Sequence, residues 1–176
     1  MKILLITGMP GAGKEELLNV ARSMDIPFLR MGDIVREFYV TSGAEQKGLS
    51  VGQVANGERE KHGKDIWAKR AMERMSGDIF LVDGCRSLDE VGSYRGLSED
   101  VYIIAVHAPR AIRYQRLVKR GREDAPKDMD EFDERDRREM GWGLGNLIAL
   151  SDYMIVNDSD LDSFREKVRS TLEGLR

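Results

Sequence analysis

Seven residues, Gly8-Met9-Pro10-Gly11-Ala12-Gly13-Lys14, fit the spacing G-x-x-x-x-G-K in full. Glycines at this spacing let the backbone curl so that successive N–H groups point inward, where phosphate oxygens can accept them. A helix opening directly after the loop adds unpaired amides and its positive dipole end, and Lys14 adds a formal charge. The chemistry this predicts is polyphosphate binding. The next residues depart from the usual pattern. Glu15 stands where such a loop carries a serine or threonine, whose hydroxyl coordinates the Mg²⁺ that bridges the phosphates, and Glu16 follows it. A carboxylate roughly 4 Å from a phosphate charge costs about 4 kcal/mol at an effective dielectric near 20. Glu15 must therefore face Mg²⁺ directly or through water, or turn away from the phosphates, or serve a less charged ligand. The expected arrangement is that it faces the metal or solvent. Glu16 also has an ordinary reading, since an acid in the first turn of a helix is favourable in itself.

Two further segments carry chemistry. Met31-Gly32-Asp33-Ile34-Val35-Arg36 places Asp33 where it could cap a helix, with Arg36 three residues on and near the same face. Asp83-Gly84-Cys85-Arg86 ends an apolar run with a carboxylate placed to hold water-coordinated Mg²⁺, followed by a planar donor fork suited to phosphate. Arg113, Arg116 and Arg120 fall at i, i+3 and i+7, on one helical face, and Arg135, Arg137 and Arg138 follow. Ten basic residues and eight acids interleave from 110 to 138, so some of these arginines belong to a solvated, ion-paired helix. Cys85 is the only cysteine, which excludes an internal disulfide and fits a reducing cytoplasm. His62 and His107 lack ligand-like spacing, so no structural metal is expected.

Elements that could position these residues are legible. Short, mostly continuous apolar runs at 2–7, 27–30, 79–82, 101–106 and 153–156 read as parallel strands covered on both faces. Helical patterns lie at 15–24, 33–40, 51–62, 65–75, 111–120, 129–140 and 161–172. The alternation predicts right-handed crossovers and a three-layer α/β domain spanning 1–176. Residues 41–63, with glycines at 43, 48, 52, 57 and 63, and the charged residues 121–130 interrupt it, and such insertions beside strand ends often cover substrates. Gly141-Trp142-Gly143-Leu144-Gly145 follows no strand and reads as a break that redirects a helix. The 176 residues, 34% charged and 41% hydrophobic, suit one soluble domain. A net charge of -3 argues against general affinity for nucleic acid, and the apolar start at 3–6 is too short for a membrane span.

On these residues the chain resembles the adenylate-kinase-related P-loop nucleotide kinases. "MGDIVR" is similar to the T-G-D-x-x-R segment of adenylate kinases, with Met31 in place of threonine, and "DGCRS" to their D-G-x-P-R segment, one residue shorter and without the proline. "RLVKR" resembles the R-L-x-x-R approach to the kinase lid, while "ALSDYMIVN" resembles the A-D-x-V-I-x-N segment of dephospho-CoA kinase. The resemblance implies a three-layer P-loop NTPase fold with a five-stranded parallel sheet, of nucleoside monophosphate kinase type. It implies an acceptor-binding insertion at 41–63 and a short lid at 121–130. ATP and Mg²⁺ are the implied donor and cofactor, with Gly8 to Glu16, Arg116 and Asn157 toward the donor, Asn157 near the adenine. Asp33, Arg36, Asp83 and Arg86 are implied toward the acceptor, and Glu15 and Asp83 toward the metal. Lys14, Arg86, Arg120, Arg135 and Arg138 would stabilise the transferring phosphoryl group. The expected activity is γ-phosphoryl transfer to a small nucleotide such as AMP. The alternatives are a dephospho-CoA kinase-like enzyme, for which Asp33 or Asp83 could act as base, and a nucleotide-binding sensor with little transfer. Protein partners are not predicted.

Overall fold

The computed structural model describes residues 1–121 and 125–176. Strand β1 (Lys2–Thr7) sets the architecture, because Ile3 and Leu5 point to one face, Leu4 and Ile6 to the other, and all four are fully buried. A strand apolar on both faces needs neighbours on both edges and helices above and below. Those neighbours are β3 (Ile79–Asp83) and β4 (Val101–His107), paired in parallel with Ile6 opposite Asp83 on one side and Ile104 on the other. β2 (Phe28–Arg30) and β5 (Tyr153–Val156) complete the order β2-β3-β1-β4-β5.

One face is covered by α1 (Lys14–Ser23) and α9 (Leu161–Leu175), whose Leu17, Leu18, Phe164, Val168 and Leu172 meet Leu4, Ile6 and Ile104. The other is covered by α2 (Met31–Thr41), α3 (Val51–His62), α4 (Ile66–Met72), α5 (Leu88–Leu97) and α8 (Leu144–Ala149), with Trp67 and Tyr94 at its centre. α6 (Arg110–Arg120) and α7 (Met129–Gly141) pack on each other through Tyr114 and Phe132, edge to face. No helix among the described residues is long and apolar enough to cross a membrane.

Two helices have no counterpart in the sequence reading. α5 is diluted by Gly92 and Gly96, which weaken a helical pattern, yet Ser87 and Glu90 form a reciprocal capping box that marks its start. α8 is a six-residue helix that begins within the stretch read only as a break. α2 begins at Met31, two residues early, so Asp33 lies inside its first turn and caps nothing. Instead its carboxylate accepts a hydrogen bond from Arg36 one turn on. The insertion at 41–63 is the end of α2, a single 3-10 turn (Glu45–Lys47) and α3. Of the span read as a lid, 122–124 lie outside the described residues.

Since β1 pairs with β3 and β4 while the chain leaves in opposite directions for β2 and β4, its carboxyl end faces the switch point where α/β sheets form binding crevices. Phe164, fully buried, lies directly beneath the glycine-rich loop there. Phe164→Ala is expected to lower unfolding free energy by about 3–5 kcal/mol in denaturant titrations. Leu97→Ala, at a half-exposed helix end, should change it by no more than about 0.5 kcal/mol.

Candidate active site

The loop from Gly8 to Gly13 is fixed by what its carbonyls do. Lys14 Nζ donates to Gly8 O at 2.5 Å and, more weakly, to Met9 O at 3.4 Å. Arg113 Nη1 donates to Pro10 O at 3.1 Å, and Asn157 Nδ2 to Ala12 O at 2.8 Å. With four carbonyls engaged, the peptide units are oriented, and α1 opens from Gly13, which has no side chain to cap its first amides. Those amides are the donors an anion takes at a helix start. Gly13 is required here. Its φ is 114°, and a Cβ would lie 2.2 Å from Asn157 Nδ2.

Asn157 therefore works beneath the loop. Its backbone N–H donates to His107 O at 2.7 Å, and its Oδ1 accepts from Arg116 Nη2 at 3.0 Å. With both ends of its amide so engaged, Asn157 braces the loop. Arg113 is likewise structural. It is buried and makes a two-pronged bond to Asp136 of α7, Nη1 to Oδ1 at 2.9 Å and Nη2 to Oδ2 at 2.5 Å. This pair ties α7 to the loop through Pro10.

Above the loop lies a cleft of about 670 Å³ whose walls carry Lys14, Arg30, Arg36, Arg86, Arg116, Arg120 and Arg135 against Glu15, Glu16, Asp83 and Glu139. Among the described residues, seven positive and four negative groups line this cleft, in a chain whose net charge is -3. Burial pushes the Lys14 ammonium below the ordinary lysine range, while Asp83 and Glu139 oppose that shift and Arg86 and Arg135 reinforce it. Burial pushes the Asp83 carboxyl up, against the pull of Lys14, Arg30 and Arg86. Asp83 Oδ1 is buried with no hydrogen-bond partner among the described residues. A lone buried carboxylate oxygen beside a phosphate loop fits a hydrated Mg²⁺, so the residues present suit the metal.

Glu15 is turned aside. Its Oε1 accepts from Arg30 Nη2 at 2.5 Å, at the end of β2. Glu16 accepts from Arg165 Nε of α9 at 2.6 Å. Arg36 and Arg86 both line the cleft, as do Arg120 and Arg135. Arg138 does not: on α7, Arg135, Glu139 and the buried Phe132 and Asp136 share one arc, and the 100° step of the helix carries Arg138 out to solvent. Arg138 is therefore not brought together with the cleft-lining arginines. Sequence reasoning missed Arg30 and Glu139. The position of Arg30 at the carboxyl end of a strand was a usable signal, as was the i+4 spacing of Glu139 from Arg135.

The fold is that of the α/β P-loop kinases. The chain overlays on a shikimate kinase from Bacteroides thetaiotaomicron with a TM-score of 0.64, at 16% identity and 98% coverage of both chains. A gluconokinase from Sinorhizobium meliloti 1021 gives 0.64 at 13% identity, covering 99% of this chain and 93% of the other. TT1252 from Thermus thermophilus gives 0.68 at 19% identity, covering 99% and 98%. Residues 7–133 match the AAA domain family AAA_17. The UPF0200 protein TV0279 of Thermoplasma volcanium is 43% identical over 171 residues, 97% of this chain and 96% of that protein. The UPF0200 protein of Hyperthermus butylicus is 44% identical over 98% of this chain and 94% of its own length. The chain belongs to the UPF0200 family and carries an AAA domain of the AAA_17 family over residues 7–133.

Two measurements follow from this geometry. Glu15→Ser removes an exposed ion pair, so stability should change by no more than about 1 kcal/mol, while ATP binding tightens as a negative charge leaves the rim. Calorimetric titration with and without Mg²⁺ reads both the affinity and the metal dependence. Mg·ATP affinity should also fall on both sides of neutrality. On the alkaline side it falls as Lys14 loses its proton at a pKa below 10.5, and on the acid side as Asp83 gains one at a pKa above 3.8.

Proposed function

We propose that the protein is an ATP-dependent phosphotransferase that moves the γ-phosphoryl group of ATP to a small nucleotide, most simply AMP. The observation that carries this reading is the convergence of Lys14, Arg36, Arg86, Arg116, Arg120 and Arg135, from five separate segments, on one cleft above the glycine-rich loop. A site that only held a nucleotide would not need cations on the wall facing the loop, whereas transfer needs them around the moving group.

In this reading the loop amides and Lys14 hold the donor phosphates. Arg36, on α2, and Arg86, in the turn just beyond β3, take the acceptor phosphate. Residues 41–63, which include α3, cover the acceptor, and Arg120 and Arg135 stand toward the donor. Asp83 would hold Mg²⁺ through water, and the ion would supply charge neutralisation across the donor phosphates. The chain's own part is to position two anions against each other and to exclude water, which competes as acceptor. A phosphate acceptor needs no strong base. An alcohol acceptor such as dephospho-CoA would call on Asp83, which burial makes more basic than an ordinary aspartate.

The test follows γ-phosphoryl transfer from Mg·ATP to AMP, other nucleoside monophosphates and dephospho-CoA. Acceptor-dependent product is expected, with Lys14→Ala and Arg86→Ala each lowering kcat/KM by about 10²–10³. Arg120→Ala and Arg135→Ala should act mainly on kcat, by about 10³ or more. A second reading, a nucleotide-binding sensor, is favoured by one feature: Glu15 occupies the place of the metal-binding hydroxyl and is spent on Arg30. ATP binding without transfer to any of these acceptors would establish the sensor and remove the kinase.

A further inference from the structure

The turn Gly141-Trp142-Gly143, for which the phosphate chemistry has no use, lies against Arg86. Gly143 has φ 101°, and a Cβ there would stand 3.4 Å from Arg86 O and 3.9 Å from Ser87 Cα. This close approach brings Trp142 beside Arg86, whose guanidinium carbon is 5.3 Å from the indole centroid. Nearly one turn earlier on α7, Glu139 Oε2 accepts from Arg86 Nε at 3.1 Å, and the Glu139 side chain is only 12% exposed. From the opposite side the Arg86 backbone N–H donates to Glu90 Oε2 at 2.7 Å, and Glu90 is buried in the capping box of α5. Arg86 is thus held by its backbone, its Nε and one face. Among the described residues its Nη1 and Nη2 donate no hydrogen bond, and Arg86 lines the cleft.

We propose that Glu139 and Trp142 are positioning residues that clamp Arg86, so that its paired Nη groups are presented to the acceptor phosphate only when α7 is seated. This rests on the reading of Arg86 as an acceptor-binding arginine. An unrestrained arginine must give up rotamer freedom when it binds, which weakens affinity, whereas one pinned at Nε and stacked on an aromatic face meets a phosphate with its fork already set. The bonding pattern separates a clamp from a competitor. A carboxylate that blocked the phosphate site would occupy the Nη fork, but Glu139 takes only Nε. Because α7 follows the span read as the lid and is tied to the loop through Asp136, Arg113 and Pro10, the clamp joins acceptor recognition to the donor side of the cleft.

Calorimetric titration of the intact protein with AMP, and with inorganic phosphate, tests this without any need for transfer. Glu139→Ala and Trp142→Ala should each weaken AMP binding on the order of tenfold or more. Glu139→Gln keeps an acceptor for the Nε–H, and Trp142→Phe keeps an aromatic face, so both should recover most of the affinity. Trp67 is fully buried and Trp142 is 38% exposed, so AMP should shift the emission of Trp142, and the shift should vanish in Arg86→Ala. Unchanged AMP affinity in both alanine variants, with Arg86→Ala still weakened, overturns the clamp alone. Tighter AMP binding in Glu139→Gln also overturns it, making Glu139 a competitor. Unchanged affinity in Arg86→Ala removes the acceptor reading, and the clamp with it.

Discussion

The engagement of the loop's carbonyl oxygens is the constraint on which the rest of the structure depends. A peptide unit that offers its N–H to an anion must send its C=O somewhere else, and a buried carbonyl without a partner is costly. Here the partners come from three directions. Lys14 reaches back to Gly8, Arg113 of α6 takes Pro10, and Asn157 beyond β5 takes Ala12. Each partner is then fixed in turn, Arg113 by Asp136 and Asn157 by Arg116 and His107. The loop's shape is therefore held from outside and is ready before any ligand arrives. Gly13 is the position where this bracing comes so close to the backbone that no side chain fits.

Charge in the cleft follows from that frame. Lys14 is shifted down and Asp83 up because both are withdrawn from water by the same loop and strand ends. The acids among the arginines have separate tasks rather than a common one. Glu15 is neutralised by Arg30 and Glu16 by Arg165, both at the rim, which resolves the apparent conflict of two carboxylates beside a phosphate loop. Asp83 keeps a buried oxygen open, and Glu139 is joined to Arg86. Each such pairing reduces the repulsion that an unpaired carboxylate would set against a bound phosphate. Among the described residues, basic groups thus outnumber acids in the cleft although the chain is acidic.

Much of this was legible in the sequence. The strand runs and the G-x-x-x-x-G-K spacing located the loop, because fully buried parallel strands and close backbone approach leave strong marks in residue type. The arginines at 36, 86, 116, 120 and 135, singled out by their spacing, all line the crevice. What pattern could not show was partnership. Nothing in residues 15 and 30 reveals that a carboxylate one residue past the loop pairs with an arginine fifteen positions on, because that contact is made by the sheet. Asn157 lines the cleft and also braces the loop, and that second task was not legible; nor was the register of α7, which sets Arg138 apart from Arg135. The glycines around Trp142 were legible as a helix break, but not as the close approach to the backbone of Arg86.

Phosphorus NMR of Mg·ATP mixed with AMP and catalytic amounts of the protein tests the central claim most directly. Phosphoryl transfer to AMP yields two ADP for each ATP consumed, with no inorganic phosphate resonance and no reaction when AMP is left out. ATP turned into one ADP and one inorganic phosphate at a rate indifferent to AMP would contradict the account. It would mean that water, and not a bound nucleotide, is what the arginine wall admits.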